Sequence, residues 1–141
     1  MARIEVDSGS YGIKAVADMI KNLADLPTSV VDAMLQEGVK PVVKALQTEA
    51  SKLNIEGHGT GELERSITAR SPAGAKGKRY IDVEFVGRRK GGRLNSTVAF
   101  FNEFGSKRIK ARRFIQKANN DSATASVEAM MRIYDDFIEK G

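Results

Sequence analysis

Between residues 29 and 53 apolar side chains return every three or four positions: Val31, Leu35, Val39, Val42, Leu46, Ala50 and Leu53. That period lays them in one stripe along a helix and leaves Lys40, Lys44, Gln47 and Lys52 mostly off it. A helix of this length must bury its stripe against other elements, and this restricts the fold more than any other segment. Pro41 interrupts the stripe near its middle. A proline there forfeits one i→i−4 hydrogen bond and crowds the carbonyl of Glu37, while Gly38 gives the backbone room to bend. The helix is therefore expected either to bend near 38–41 or to divide into two pieces. Thr28 or Ser29, just after Pro27, is placed to cap its start.

A second packing helix is expected over Ser122–Lys140, where Val127, Met130, Met131, Tyr134, Phe137 and Ile138 share helical spacing. Asp121 or Ser122 would cap it, and its methionines serve as core filler. A shorter amphipathic helix fits 13–24, on Ile13, Val16, Ala17, Ile20, Leu23 and Ala24. Strand patterns lie between. Ala2–Asp7 alternates Ile4 and Val6 with charged residues, and Tyr80–Gly87 sets Ile81, Val83 and Phe85 on one face. Ser66–Ala69 starts another strand after a short capped turn at Thr60–Glu64. The glycine pair Gly91-Gly92 signals a hairpin, which makes Ser96–Phe101 the return strand and sets 88–93 at an exposed basic tip. The loop 71–79 has almost no large apolar side chain and is expected to be exposed. The sum is one domain over 1–141. It is an α+β fold, with a small antiparallel sheet of three to four strands packed against a long N-terminal helix and a C-terminal helix.

The same residues exclude much chemistry. There are no cysteines, so disulfides, thiolate metal sites and cysteine nucleophiles are excluded. The one histidine, His58, sits in a glycine loop with no repeated ligand spacing around it. That loop also lacks the lysine of a P-loop and the spacing of a dinucleotide fingerprint. Glu62 and Glu64 point apart on a turn. Asp82 and Glu84 share one strand face roughly 7 Å apart, amid cations that favour a solvated sheet face over an acid–base pair. No catalytic residue, cofactor or metal is expected, and the chain reads as a non-enzyme. The N-terminus lacks a signal-peptide pattern, and no apolar run approaches the roughly 18 residues that span a bilayer. A soluble protein without a membrane partner is expected.

Charge is segregated. Residues 74–117 hold thirteen Lys/Arg against Asp82, Glu84 and Glu103, net +10, while the remainder carries net −5. Lys76, Lys78, Arg79, Arg88, Arg89, Lys90 and Arg93 form the expected basic tip and loop. They suit nucleic-acid phosphates or acidic partners, and no pattern for reading bases accompanies them. A nucleic-acid-binding module using 74–117 is thus one functional class that stays open.

Four of the six phenylalanines fall in the run 96–118, which passes from an apolar stretch through Glu103-Phe104-Gly105 into a six-cation segment. Phe100 and Phe101, consecutive on a strand, face opposite sides, so one is covered by a partner or by an additional intramolecular layer. Gly105 is expected to end the strand. Arg112, Arg113 and Phe114 then form either a loop pinned to the core by Phe114 or an element docked between neighbouring subunits.

Two stretches carry a resemblance. Thr60, Gly61, Leu63, Ser66 and Ile67 match a Thr-Gly-x-Leu-x-x-Ser-Ile pattern. Phe101, Glu103, Gly105, Ser106, Ala111, Phe114 and Ala118 match a later pattern of an aromatic, Glu-x-Gly-(Ser/Thr), then Ala-x-Pro-Phe. Together with the order of elements, they make the chain similar to the HK97 gp10-like family of tailed-bacteriophage tail completion and head-tail joining proteins. Arg113 stands where that pattern has proline. The resemblance implies a structural role without catalytic residues, as a homo-oligomeric, six-fold ring through which DNA passes. It implies tail terminator or tail tube proteins and head-side connector proteins as partners. It further implies residence in the virion tail or neck after synthesis in the host bacterial cytoplasm.

Overall fold

The computed structural model describes residues 2–7, 26–55, 61–89 and 91–140. The helix expected over 13–24, the loop with His58 and Thr60, and Lys90 lie outside the described residues. The elements are β1 (Ala2–Asp7), α1 (Thr28–Ile55), α2 (Glu62–Arg65), β2 (Ile67–Ala69), β3 (Lys78–Phe85), α3 (Asn95–Phe104) and α4 (Phe114–Lys140). The architecture is α+β, with two long helices and a small antiparallel sheet.

The three strands run in the order β1-β3-β2. β3 pairs along one edge with β1, from Ala2 opposite Val83 to Asp7 opposite Lys78. Along its other edge it pairs with β2, from Ile67 opposite Phe85 to Ala69 opposite Val83. The alternation read from the sequence holds: Ile81, Val83 and Phe85 are buried. Their face meets α1, which contacts all three strands and packs most extensively against α4. The helix α1 therefore shares its surface between the sheet and α4. All seven residues of its sequence stripe are buried, and Met34 joins them.

α1 continues through Pro41 as a single 28-residue helix rather than dividing. Gly38 also has a task that its sequence context does not show. A Cβ built there would lie 2.7 Å from Met130 Cγ and 3.3 Å from Ser126 Oγ, so glycine is what allows α4 to approach at this crossing. Ser126 Oγ donates a 2.7 Å hydrogen bond to the Gly38 carbonyl at the same point. Beyond Phe114 and Ile115 in its first turn, the buried residues of α4 are correspondingly small: Ala118, Ser122, Ser126 and Ala129, at spacings of four, four and three.

Two expectations about the second half are corrected. Ser96–Phe101 is not a return strand but part of the helix α3. β3 already has both edges occupied, by β1 and β2, so no ladder is left for a fourth strand beside it. Asn95, Ala99, Asn102 and Glu103 are the buried positions of this segment, a helical period rather than an alternating one. The Gly91-Gly92 turn does form, with Arg89 N–H donating to Arg93 O and Gly92 N–H to Arg89 O, both at 2.9 Å. The pairing ends at the isolated bridge between Arg88 and Leu94. There the Asn95 backbone N–H donates to Gly87 O, and its Nδ2 donates to Val86 O. Second, α4 starts at Phe114, so Asp121 and Ser122 lie inside it rather than at its cap. Ile138, expected on its packing face, is exposed.

The loop 71–79 is a hairpin connection, with Ala73 and Tyr80 exchanging both backbone hydrogen bonds at 2.9 Å. Lys78 and Arg79 belong to β3, which leaves Lys76 exposed on the turn.

Candidate functional site

The run singled out in the sequence folds as helix, tight loop and helix. Gly105 closes α3: its φ is 79°, and its N–H donates to Phe101 O at 2.8 Å. A side chain there would also collide with the returning chain, since a Cβ would sit 2.8 Å from Ala111 N and 2.9 Å from Ile109 O. Gly105 thus ends a helix, not a strand. Ser106 then ties the loop to itself. Its N–H donates to Ile109 O, and its Oγ accepts from Arg108 N and Ile109 N.

Glu103, only 5% exposed, provides the start of α4. A helix start leaves backbone N–H groups without partners, and a side-chain oxygen at the cap position normally accepts from the second and third of them. Here the cap position is Arg113, whose carbonyl accepts from Lys117 N at 3.0 Å. An arginine side chain has only donors and cannot accept. Glu103 does so from the preceding helix: its carboxylate takes Ile115 N–H at 2.8 Å and Gln116 N–H at 3.3–3.4 Å. The negative charge also lies at the positive end of the α4 dipole. Asn102 fastens the same junction. Its carbonyl accepts Arg112 N–H at 2.7 Å, and its Oδ1 accepts from the Arg112 guanidinium at 3.2 Å.

Arg113 has φ of 51°, the one positive value on a non-glycine residue among the described residues. Proline is confined near −65°, so the proline of the resembled pattern has no place in this turn. The left-handed backbone aims the Arg113 guanidinium over the Phe104 ring, 5.2 Å from its centroid. Phe104 in turn lies 4.9 Å from Phe100, one helical turn back. Phe100 and Phe104 are 56% and 53% exposed. Phe101 is half-buried and meets Phe100 edge-on, so these neighbours diverge by a helical step and not to opposite sheet faces. Phe114 goes to the core, edge-on to Phe85 at 5.9 Å. Of the expected interface residues, Phe100, Phe104 and Arg113 form one outward patch. Glu103, Arg112 and Phe114 hold the loop.

The basic residues separate in the same way. Arg79 is structural: its Nε and Nη2 meet the two oxygens of Asp32 at 2.9 and 2.8 Å, and its Nη1 donates to Gly74 O, joining β3 to α1. Arg88 donates to Gly92 O within its own turn. Arg89 is only 19% exposed, with Nε 3.9 Å from Glu62 Oε2, and is not part of an exposed tip. Lys76, Lys78 and Arg93 are exposed.

What the sequence did not bring together is a groove of about 780 Å³ between the 88–93 turn and the 106–112 loop. Arg89 and Arg93 line one wall, Arg108, Lys110 and Arg112 the other, and Val98 and Asn102 of α3 lie between. Among the described residues, no acidic one lines it. The signal was present as two cationic stretches flanking an apolar run, but a strand over 96–101 would have held them apart differently. Among the described residues, no group of three or more His, Cys, Asp or Glu is placed to hold a metal, and no helix is long and apolar enough to cross a membrane. Family models, curated proteins and solved structures give no match to this chain.

Proposed function

We propose that the chain is a non-enzymatic structural protein of a bacteriophage tail or head-tail junction, acting as a homo-oligomeric ring that completes the tail and joins it to the connector. Six copies are the expected number. Its partners are tail terminator or tail tube proteins on one side and connector proteins on the other. Its place is the virion tail or neck, after synthesis in the host bacterial cytoplasm.

One observation carries this reading: the Phe100–Phe104–Arg113 patch. Two phenylalanines more than half exposed stand in the stretch that bears the family resemblance or directly before it, on a helix whose third phenylalanine, Phe101, is half-buried. Covering the exposed half of each ring contributes on the order of 1 kcal/mol per ring, and a closed ring repeats that gain at every interface. The patch meets an unlike surface on the neighbour, as cyclic assembly requires, and charge segregation along the chain favours such head-to-tail contact.

Mass photometry of the purified chain, alone and with a tail or neck partner, tests this. A closed oligomer is expected, and Phe100→Ser with Phe104→Ser is expected to return it to monomer while leaving the circular dichroism spectrum unchanged. Monomer under both conditions for the unmodified chain, or an intact ring in the double variant, would overturn the assignment.

A further inference from the structure

We infer that the groove between the 88–93 turn and the 106–112 loop is a binding site for the phosphodiester backbone of duplex DNA. Five cations line it from both walls. Four are arginines, whose planar fork matches phosphate oxygens better than an ammonium does.

The cations fall into two kinds. Arg112 is held by Asn102 Oδ1 and by Lys110 O, and Arg89 is half-buried against Glu62. These two put one fixed cation on each wall of the groove. Arg93, Arg108 and Lys110 are exposed, and none of them is ion-paired to a described carboxylate. Their charge is available to an incoming ligand. Arg79, by contrast, is engaged with Asp32 and lies outside the groove, so the site is narrower than the basic segment as a whole.

The lining also selects among polyanions. Among the described residues, no aromatic ring lines the groove, so none of them gives single-stranded bases a stacking platform there. Val98 and Ile109 offer apolar contact and Asn102 one amide whose Nδ2 already donates to Val98 O, which leaves little for reading base edges. A duplex presenting closely spaced phosphates, bound without regard to sequence, fits this lining best.

The test is fluorescence anisotropy with a mixed-sequence 24-base-pair duplex, using the chain in whatever oligomeric state it adopts. It stands apart from the assembly reading, because a chain that forms no ring can still be titrated. Three to five phosphate contacts give a slope of log K against log salt of about −2.7 to −4.5, or about 40- to 500-fold weaker binding at 200 mM than at 50 mM salt. Arg93→Ala, Arg108→Ala and Lys110→Ala combined should flatten the slope by about 2.7 with an unchanged circular dichroism spectrum. Lys76→Ala with Lys78→Ala, outside the groove, should leave it unaltered. No binding at 50 mM salt would overturn the proposal. Equal weakening by the two sets of substitutions would reduce it to diffuse charge. Competition by polyglutamate as effective as by DNA at equal charge would make the ligand an acidic protein segment, and a single strand that binds tighter than the duplex would also refute it.

Discussion

Replacing Glu103 with alanine removes an acceptor that two N–H groups of another helix depend on. Loss of an ordinary N-cap side chain costs about 0.5–2 kcal/mol. Two features raise the cost here. The carboxylate is buried, so the Ile115 N–H loses a partner where water has poor access, which adds about 1–3 kcal/mol. The charge at the helix end contributes up to about 2 kcal/mol in partly buried sites. These contributions overlap, and a net loss of about 2–4 kcal/mol is expected for Glu103→Ala. Glu103→Gln keeps an acceptor and discards the charge, so it should lose about half as much. Urea unfolding monitored by circular dichroism measures both, with a lowered midpoint and an unchanged m-value. If Glu103→Ala falls within 0.5 kcal/mol of the parent, or if glutamine is no better than alanine, the cross-helix cap is not what orders this junction.

Gly38→Ala sets a helix-propensity gain of about 1 kcal/mol against overpacking of about 1–3 kcal/mol. It should destabilise the parent yet stabilise a Met130→Ala background, a change of sign that a double-mutant cycle would detect. Arg113→Gly should lie within about 1 kcal/mol of the parent, since relief of left-handed strain offsets the lost Phe104 contact. Arg113→Pro should cost more than about 2 kcal/mol; equal denaturation midpoints for the two would disprove the positive-φ turn. Arg79→Ala should lower the thermal midpoint through loss of its charge-assisted hydrogen bonds to Asp32. Lys76→Ala should stay within 0.5 kcal/mol, and similar thermal shifts for the two would remove the distinction drawn between structural and free cations.

The parts of this fold that were legible in the sequence are those where one element's burial pattern suffices. The stripe from Val31 to Leu53 and the alternation through Ile81, Val83 and Phe85 each state which face goes inward, whatever covers it. Ser96–Phe101 failed that test because a short apolar run suits strand or helix equally. What decides it is the occupancy of both β3 edges, a fact about residues elsewhere in the chain. Site residues divide likewise. The adjacency of Phe100 and Phe101 points to one of them lying outside the core, although by strand alternation rather than by the helical step that the structure shows. The duty of Glu103 depends on a helix start twelve residues on, and that start was itself obscured by more familiar capping residues at Asp121 and Ser122. A glycine at 105 closing one helix, followed by an arginine at the next cap position, was the available clue that an acceptor had to come from elsewhere.

The hydrogen bond from Ser126 to Gly38 spans 88 residues, and this orders events during folding. Glu103 and Ile115 are twelve apart, so α3, its loop and the first turns of α4 can find one another with little entropy lost to loop closure. The α1–α4 seam cannot close until a far longer stretch of chain is gathered, and its rewards come late. A nascent chain has α1 made and its stripe bare while α4 is still unmade. That interval, rather than the finished fold, is when Val39, Val42 and Leu46 are open to capture by another molecule.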